Sequence, residues 1–291
     1  MSALASTDRG TTAVPRASGG LRRTPLSYTV LGLVAAYSLV PVLMLVFNSL
    51  KSDLELGRNP LGPPQNPRLE NFTEAWVQGS LGRGMLNSAI IVLGTVVGVW
   101  ICAGLAAYAL ARLDVPFKGG IATYLFLVIS LPVQIFLVPL FFLWSRLGLT
   151  DTLQGLIIIY VAINTPFATL LLRSFLVAIP KEIDEAARID GANELQTAVR
   201  VVLPLARPGF LTVGIVVGLA AYNELLFAVT FISEPSTLPI ATAYLNFSQG
   251  FTQQYGLLNA AGVIMVVPVL VMFVLMQKKF ISGLAAGGVK G

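Results

Sequence analysis

Six stretches of the sequence are long and apolar enough to cross a lipid bilayer as helices. A transmembrane helix needs about 20 predominantly apolar residues to span a hydrocarbon core about 30 Å thick. The stretches that meet this requirement are residues 27–50, 87–111, 121–144, 153–172, 210–232 and 258–276. The sequence therefore predicts an all-α integral membrane protein with six transmembrane helices.

The composition agrees with burial in lipid and narrows the possible chemistry. Charged residues make up 11% of the 291 residues and the mean hydropathy is +0.79, whereas soluble domains carry about 25% charged residues. The chain has no histidine, the commonest metal ligand and general base. The sequence also places no cluster of carboxylates in or next to a predicted span. We therefore expect neither a metal site nor an enzymatic activity in this chain.

Positive charges divide unequally between the two sides of the predicted spans. Of the 19 Lys and Arg residues, 14 fall on the side that holds both termini, and five fall on the other. Because Lys and Arg are enriched in cytoplasmic loops, both termini are predicted to be cytoplasmic. The chain divides into a disordered tail at 1–26, a six-span domain at 27–280 with a cytoplasmic loop at 173–207, and a cytoplasmic C-terminal tail at 281–291.

Two features indicate contacts that reach beyond a single span. The spacings Gly94-x-x-x-Gly98 and Gly214-x-x-x-Gly218 predict close approach of neighbouring helices, since small residues let helix backbones come together. The loop at 53–83 is long and contains four prolines. It is interpreted either as an outer loop that contacts a partner or as a plain tether.

The loop at 173–207 carries the signals of a short helix. Pro180 suits a first helical turn, and acidic residues follow it where the helix dipole is positive. Asp184 and Arg188 are spaced to form an i, i+4 pair, and Gly191 supplies the left-handed residue that often ends a helix. Four residues share one face at helical spacing, namely Ile183, Ala186, Ala187 and Asp190. Physical reasoning alone leaves open an interfacial helix or a helix that docks on a partner.

The same loop contains a motif of fixed spacing. The motif residues are Glu185, Ala186, Ala187, Asp190, Gly191, Leu203 and Pro204. This arrangement resembles the EAA loop of permease subunits in bacterial ABC importers. Further short matches cover nearly all of the chain after the tail, namely NSLK at 48–51, NS at 87–88, AYA at 107–109, PLF at 139–141, LGLTD at 147–151 and GLAAGGVKG at 283–291. Together they are similar to the carbohydrate branch, in particular to the second permease of maltose-type systems.

The resemblance implies a type I ABC importer permease fold and gives roles to parts of the chain. In that family the EAA loop forms a coupling helix that sits in a cleft of a separate ATPase subunit. The resemblance therefore implies that the seven motif residues contact the ATPase. In the maltose-type relative the C-terminal tail also reaches towards the ATPase dimer. The matching tail residues are Gly287, Gly288, Val289, Lys290 and Gly291.

Partners follow from the same resemblance. It implies a second related permease, two ATPase subunits and an extracytoplasmic solute-binding protein, assembled in the cell inner membrane. The sequence contains no G-x-x-x-x-G-K-[ST] phosphate-binding loop, so ATP and magnesium are expected on the partner subunits and no cofactor on this chain. A heterodimeric pore is expected, with a homodimer as the alternative. The expected substrate is a carbohydrate or a related polyol.

Glu224 is the acidic residue placed well inside a predicted span, and such a group is a functional candidate. It is predicted to line a sugar pathway beside Tyr222 and Asn223, with Asn164 as a weaker candidate in the fourth span. The alternative is a structural hydrogen bond, or a span that ends before Glu224. YNE at 222–224 departs from the Trp-Asn-Glu that is usual in the carbohydrate branch. A secondary transporter driven by protons, with Glu224 as the carrier, also stays open as a different function.

Overall fold

The computed structural model describes residues 25–250 and 254–288. Within these ranges the secondary structure is helical and contains no strand, which confirms the predicted all-α class. The helices are α1 (Pro25–Ser49), α2 (Asp53–Arg58), α3 (Glu70–Gln78), α4 (Leu81–Arg112), α5 (Lys118–Ser130), α6 (Leu137–Leu147), α7 (Leu153–Ala178), α8 (Glu182–Ile189), α9 (Glu194–Gln196), α10 (Leu203–Leu205), α11 (Arg207–Asn223), α12 (Leu226–Phe231), α13 (Ile240–Gly250) and α14 (Tyr255–Gly288). A 3-10 turn at Val133–Phe136 precedes α6, and a π-helical stretch at Thr197–Val202 precedes α10.

The chain divides into two compact units, one that ends at Leu43 and one that begins at Met44. The described part of the first unit is the N-terminal portion of α1, which is an apolar helix. The second unit contains the end of α1 and the helices that follow it, and it holds all the candidate site residues.

Four helices are long and apolar enough to cross a membrane, namely α1, α4, α7 and the Tyr255–Gln277 part of α14. Two pairs of shorter helices reach the required length only when each pair is counted as one span. In the first pair, α5 and Val133–Leu147 are bent by 84°, and in the second, Glu194–Leu205 and α11 are bent by 71°. The described residues therefore provide between four and six candidate spans.

The third predicted span, residues 121–144, is wrong as a continuous helix. α5 ends at Ser130, and Leu131 has an extended backbone with φ −79° and ψ 135°. Pro132 follows, and its ring clashes with a preceding residue in the α conformation. The chain resumes in the 3-10 turn and α6, so the apolar stretch is folded into two arms.

The fifth predicted span, residues 210–232, is also interrupted. α11 ends at Asn223, and Glu224 leaves the helical region with φ −71° and ψ 119°. α12 begins only at Leu226. Glu224 therefore lies between two helices and not inside one.

α4 packs against both α7 and α11 in the second unit. A Cβ atom on Gly94 would lie 2.8 Å from Ile157 Cδ1, and one on Gly98 would lie 2.5 Å from Val161 Cγ2. Both distances are too short for a real side chain, so α4 and α7 approach as closely as the small-residue motif predicts. On α11, Gly214 faces α4 just as closely.

The loop between the first two predicted spans is folded and is not a plain tether. Lys51 is fully buried, and its ammonium donates to Asn48 Oδ1 at 3.0 Å and to the Asn59 carbonyl at 2.8 Å. The Asn71 amide on α3 donates to the Ser49 and Lys51 carbonyls, each at 2.9 Å. These bonds hold the loop against the end of α1. Its contact with a partner stays a prediction.

Candidate functional site

The short helix predicted in the loop 173–207 is confirmed as α8. α7 ends at Ala178, and Ile179 takes an extended backbone before Pro180, as the proline ring requires. α8 thus begins as a separate helix. Its first turn carries three acidic residues where the helix dipole favours negative charge, namely Glu182, Asp184 and Glu185.

The C-terminal end of α8 is closed by Gly191, whose φ is +84°. The Gly191 N–H donates to the Arg188 carbonyl and the Ala192 N–H donates to the Ala187 carbonyl, both at 3.0 Å. These two bonds are a Schellman motif, which satisfies the last carbonyls of a helix. The predicted helix stop at Gly191 is confirmed.

A second helical segment leads from α8 into α11. Asn193 begins it with a capping box, in which Asn193 and Gln196 each bond the other's backbone N–H. Pro204, which cannot donate a backbone hydrogen bond, lies just after the π-helical stretch of this segment. Leu203 and Pro204 line an apolar groove of about 870 Å³ between this segment, α4 and α11.

α8 presents one face to the outside and one to the rest of the chain. The outward residues follow the i, i+3, i+4, i+7 spacing of a helix face, namely Glu182, Glu185, Ala186 and Ile189. Ile189 is 86% exposed, whereas Ala187 is only 9% exposed. Within the predicted face of Ile183, Ala186, Ala187 and Asp190, Ala186 and Asp190 are exposed whereas Ala187 packs inward. Among the predicted coupling residues, Asp190 and Gly191 are also exposed.

Asp184 pairs with Arg112 at the C-terminal end of α4, and not with Arg188 as the i, i+4 spacing predicts. Arg112 Nε lies 3.3 Å from Asp184 Oδ2, and the two side chains are 2% and 10% exposed. The Arg112 Nη2 group also donates to the Ile179 carbonyl at 2.9 Å. One buried guanidinium therefore joins α4, the end of α7 and α8.

Glu194 forms a second link between α4 and the loop 173–207. Tyr108 on α4 donates its hydroxyl to Glu194 Oε1 at 2.9 Å. Arg188 Nη2 on α8 donates to Glu194 Oε2 at 2.8 Å, where both side chains are about half exposed. Sequence reasoning missed Arg112, Tyr108 and Glu194. The signal that the sequence offers is an arginine at the end of a predicted span, Arg112.

Glu224 is held by three hydrogen-bond donors. Tyr160 on α7 donates its hydroxyl to Glu224 Oε2 at 2.7 Å. The N–H groups of Phe227 and Ala228, at the start of α12, donate to the same carboxylate at 3.0 Å and 3.2 Å. The Glu224 side chain thus caps the first turn of α12 from the position before its N-cap residue, Leu225.

The other pathway candidates differ in whether their side chains form a hydrogen bond to another helix. Tyr222 donates its hydroxyl to the Met265 carbonyl on α14 at 2.7 Å. The Asn164 amide donates to the Tyr160 backbone carbonyl of its own helix at 2.8 Å. Asn223 is exposed and donates only to the Leu219 carbonyl of its own helix, at 3.0 Å. Tyr160 was missed in the sequence, where it is an unremarkable residue in an apolar run.

The predicted tail contact falls mostly beyond the described residues. Gly287 and Gly288 belong to the last turn of α14, while Val289, Lys290 and Gly291 lie outside the described part of the chain. Across residues 25–250 and 254–288, no group of three or more His, Cys, Asp and Glu residues is arranged to hold a metal ion.

Among the known proteins that this chain resembles, three transport permeases match along nearly its whole length. The sulfoquinovosyl glycerol transport system permease SmoH of Agrobacterium fabrum is 34% identical and covers 92% of this chain and 94% of its own. The diacetylchitobiose uptake system permease NgcG of Streptomyces coelicolor is 34% identical, with 93% and 90% covered. The trehalose transport system permease SugB of Mycobacterium tuberculosis is 32% identical, with 94% and 100% covered.

A family pattern and solved structures match as well. Residues 101–280 match the family described as the binding-protein-dependent transport system inner membrane component. A chain of a bacterial ABC transporter for import of the acidic polysaccharide alginate superposes with a TM-score of 0.76 at 22% identity, covering 88% of this chain and 95% of its own. A second structure, of an alginate ABC transporter with an alginate-bound periplasmic protein, superposes at 0.61 and 17% identity, covering 86% and 92%. These structures share the fold of this chain.

Proposed function

The chain belongs to the family of binding-protein-dependent transport system inner membrane components, and we propose that it forms half of the pathway of an importer for a carbohydrate or a related polyol. As a permease subunit of an ATP-driven importer, it is a non-catalytic component. The relatives named for sulfoquinovosyl glycerol, diacetylchitobiose and trehalose support a carbohydrate. They differ enough from one another that no single sugar follows.

The proposed arrangement in the membrane has six spans, both termini in the cytoplasm and the loop 173–207 on the cytoplasmic side. The distribution of Lys and Arg supports this orientation. The six-span domain at 27–280 then lies between a tail at 1–26 and a tail at 281–291. Four unbroken helices and two bent pairs supply the required spans when each pair crosses once.

The proposed complex contains a second related permease, two ATPase subunits that bind ATP and magnesium, and an extracytoplasmic binding protein. A chain with six spans supplies half of a pore, and a heterodimer is proposed over a homodimer. The family description, which names a binding protein and an inner membrane component, supports the external partner and the location.

The exposed face of α8 is the observation that carries this proposal. An isolated helix of eight residues is marginal in water, yet α8 is capped at its C-terminal end and anchored through Asp184. It still leaves Glu185, Ala186 and the 86% exposed Ile189 uncovered. Ala186 is small and lies beside the acidic Glu185 and near the apolar Ile189, so this face of α8 can approach the walls of a cleft closely. We propose that Glu185, Ala186, Asp190 and Gly191 contact the ATPase, while Ala187, Leu203 and Pro204 support them from within this chain.

Along the pathway, we propose that Asn223 is the residue most available to a sugar hydroxyl, because its amide is exposed at the end of α11. Tyr222 and Glu224 shape the same region, because Tyr222 bonds α14 and Glu224 bonds both α7 and the first turn of α12, while Asn164 bonds only within α7. The proton-coupled alternative has no observation in its favour, and the Glu224 carboxylate already accepts three hydrogen-bond donors.

The test is uptake by the complete complex in proteoliposomes with candidate sugars and their binding protein. Glu185→Lys is expected to reduce ATP-driven uptake and binding-protein-stimulated ATP hydrolysis at least tenfold. Asp114→Lys, an equal charge reversal at an exposed position outside α8, is the matched control and should leave both rates within twofold. Wild-type rates for Glu185→Lys would reject docking through α8. Uptake driven by a proton gradient without ATP would instead support the secondary transporter.

A further inference from the structure

The C-terminal end of α4 carries two side-chain links to the loop 173–207, which is the proposed coupling loop. Arg112 contacts Asp184 on α8, and Tyr108, one turn earlier, donates to Glu194 just after α8. Because Tyr108 and Arg112 are four residues apart, they lie on one face of α4. The start of α8 and the segment that follows it are therefore both attached to the same helix end.

The attachment through Arg112 and Asp184 is a buried ion pair. Both side chains are almost fully buried, where an ion that loses its partner is costly because water no longer solvates it. The Arg188–Glu194 pair, in contrast, is about half exposed on both sides, and such pairs contribute little. α8 therefore cannot leave α4 without stranding two buried charges.

The covalent routes out of α8 are both interrupted. Towards α7, the chain passes through the extended Ile179 and through Pro180, so no helix is continuous with α8. Towards α11, it passes through a π-helical stretch and a bend of 71°. Rotation about backbone bonds at each interruption absorbs a displacement of α8. The buried contact between α8 and α4 contains no such flexible segment.

α4 itself runs without a break from Leu81 to Arg112, which at 1.5 Å per residue is about 48 Å. Its other end is fixed to the segment 236–240. The Asn87 amide donates to the Ser236 and Leu238 carbonyls, each at 3.0 Å, and Ser88 Oγ accepts from the Ile240 N–H at 2.9 Å. One rigid helix thus joins the coupling loop to the opposite end of the unit.

We infer that α4 is the rigid link that carries displacement of α8 to residues 236–240, and that Arg112, Asp184 and Tyr108 are the positioning residues that attach it. This inference rests on the proposed ATPase coupling through α8. Rigid elements with side-chain contacts at both ends are a physical means of coupling distant sites. The segment 236–240 precedes α13 and lies on the side proposed to face the binding protein.

The test places an environment-sensitive fluorophore at Ser236→Cys, in a Cys102→Ser background, within the complete transporter. Wild type should give an ATP-dependent signal at position 236. Asp184→Asn keeps the shape of the side chain but removes its charge. The double variant with Asp184→Asn and Tyr108→Phe should reduce the ATP-dependent signal at position 236 and the stimulated ATPase rate at least tenfold. Asp184→Glu should recover both to within threefold, because it restores the charge.

The matched control is Asp114→Asn, the same change in the exposed pair between Asp114 and Lys118 near the same end of the unit. It should leave the signal unchanged. If Asp184→Asn does not assemble, Tyr108→Phe alone removes a single hydroxyl and should still lower the signal about threefold.

A full ATP-dependent signal in the double variant, or in Tyr108→Phe when it is measured alone, overturns the inference. A wild-type complex in which ATP drives no uptake instead contradicts the proposed function, so the two failures are distinguishable.

Discussion

Removal of the Glu224 carboxylate should destabilise the fold, and this effect does not require any contact with a sugar. In Glu224→Ala, the Phe227 and Ala228 N–H groups lose the cap of α12, which costs about 1 kcal/mol. The hydroxyl of Tyr160, a residue only 2% exposed, loses its acceptor, which costs about 1–3 kcal/mol. The free energy of unfolding should therefore fall by about 2–4 kcal/mol.

The assay is equilibrium unfolding of the purified protein in mixed micelles, followed by helical signal. Glu224→Gln keeps one acceptor oxygen and should lose only about 1 kcal/mol. In a Tyr160→Phe background, Glu224→Ala should cost at least 1 kcal/mol less than in the wild type, because the shared bond is already absent. The matched control is Glu234→Ala at an exposed position, which should change stability by less than about 0.5 kcal/mol.

A different outcome would show that Glu224 acts on the substrate. If Glu224→Ala unfolds like the wild type and loses sugar uptake, the capping role is refuted. Asn223→Ala gives the opposite expectation, since its exposed amide bonds only within its own helix. It should keep wild-type stability and lose uptake.

Three further substitutions test other contacts. Gly98→Ala places a Cβ about where Val161 already lies, and this overpacking should lower the free energy of unfolding by about 1–3 kcal/mol. Gly119→Ala is the control, because its Cβ enters open space and should have no such cost. Equal stabilities of the two variants would contradict the close packing of α4 and α7. Gly191→Ala forces a residue with a side chain into a φ of +84°, which should lower the free energy of unfolding by about 1–2 kcal/mol. It should also weaken co-purification of the ATPase. Unchanged co-purification would count against the role of this helix end. Lys51→Met leaves without a donor the two oxygen atoms that the buried ammonium bonds. The loop 53–83 should then be cleaved by protease in sealed vesicles. Persistent resistance to the protease would show that other bonds hold the loop.

The sequence predicts best those elements that depend on local chemistry. α1, α4, α7 and α14 overlap predicted spans because each needs only an uninterrupted apolar stretch. α8 and its end at Gly191 follow from acidic residues near the helix start and a glycine at the stop. The break at Leu131 is also visible in the sequence as a residue before proline, but apolar length alone does not distinguish a broken span from a continuous one.

Contacts between distant parts of the chain could not be predicted in the same way. Spacing pairs Asp184 with Arg188, yet Asp184 pairs with Arg112, which is 72 positions away in the sequence. The Glu224 carboxylate likewise accepts a hydrogen bond from Tyr160, 64 positions away. Asp184 is buried, and a buried carboxylate must find partners wherever the fold supplies them. Periodicity within one helix carries no information about such partners.

Cross-linking from two adjacent alanines tests the coupling of α8 to an ATPase most directly. Ala186 is exposed and Ala187 is 9% exposed, so Ala186→Cys and Ala187→Cys differ in orientation and in little else. Each is introduced into a Cys102→Ser background and labelled with a thiol-reactive photo-cross-linker in the assembled transporter. The account predicts a cross-link to the ATPase subunit from position 186 and little from position 187. Absence of that product at 186, or equal yields at both positions, would contradict it.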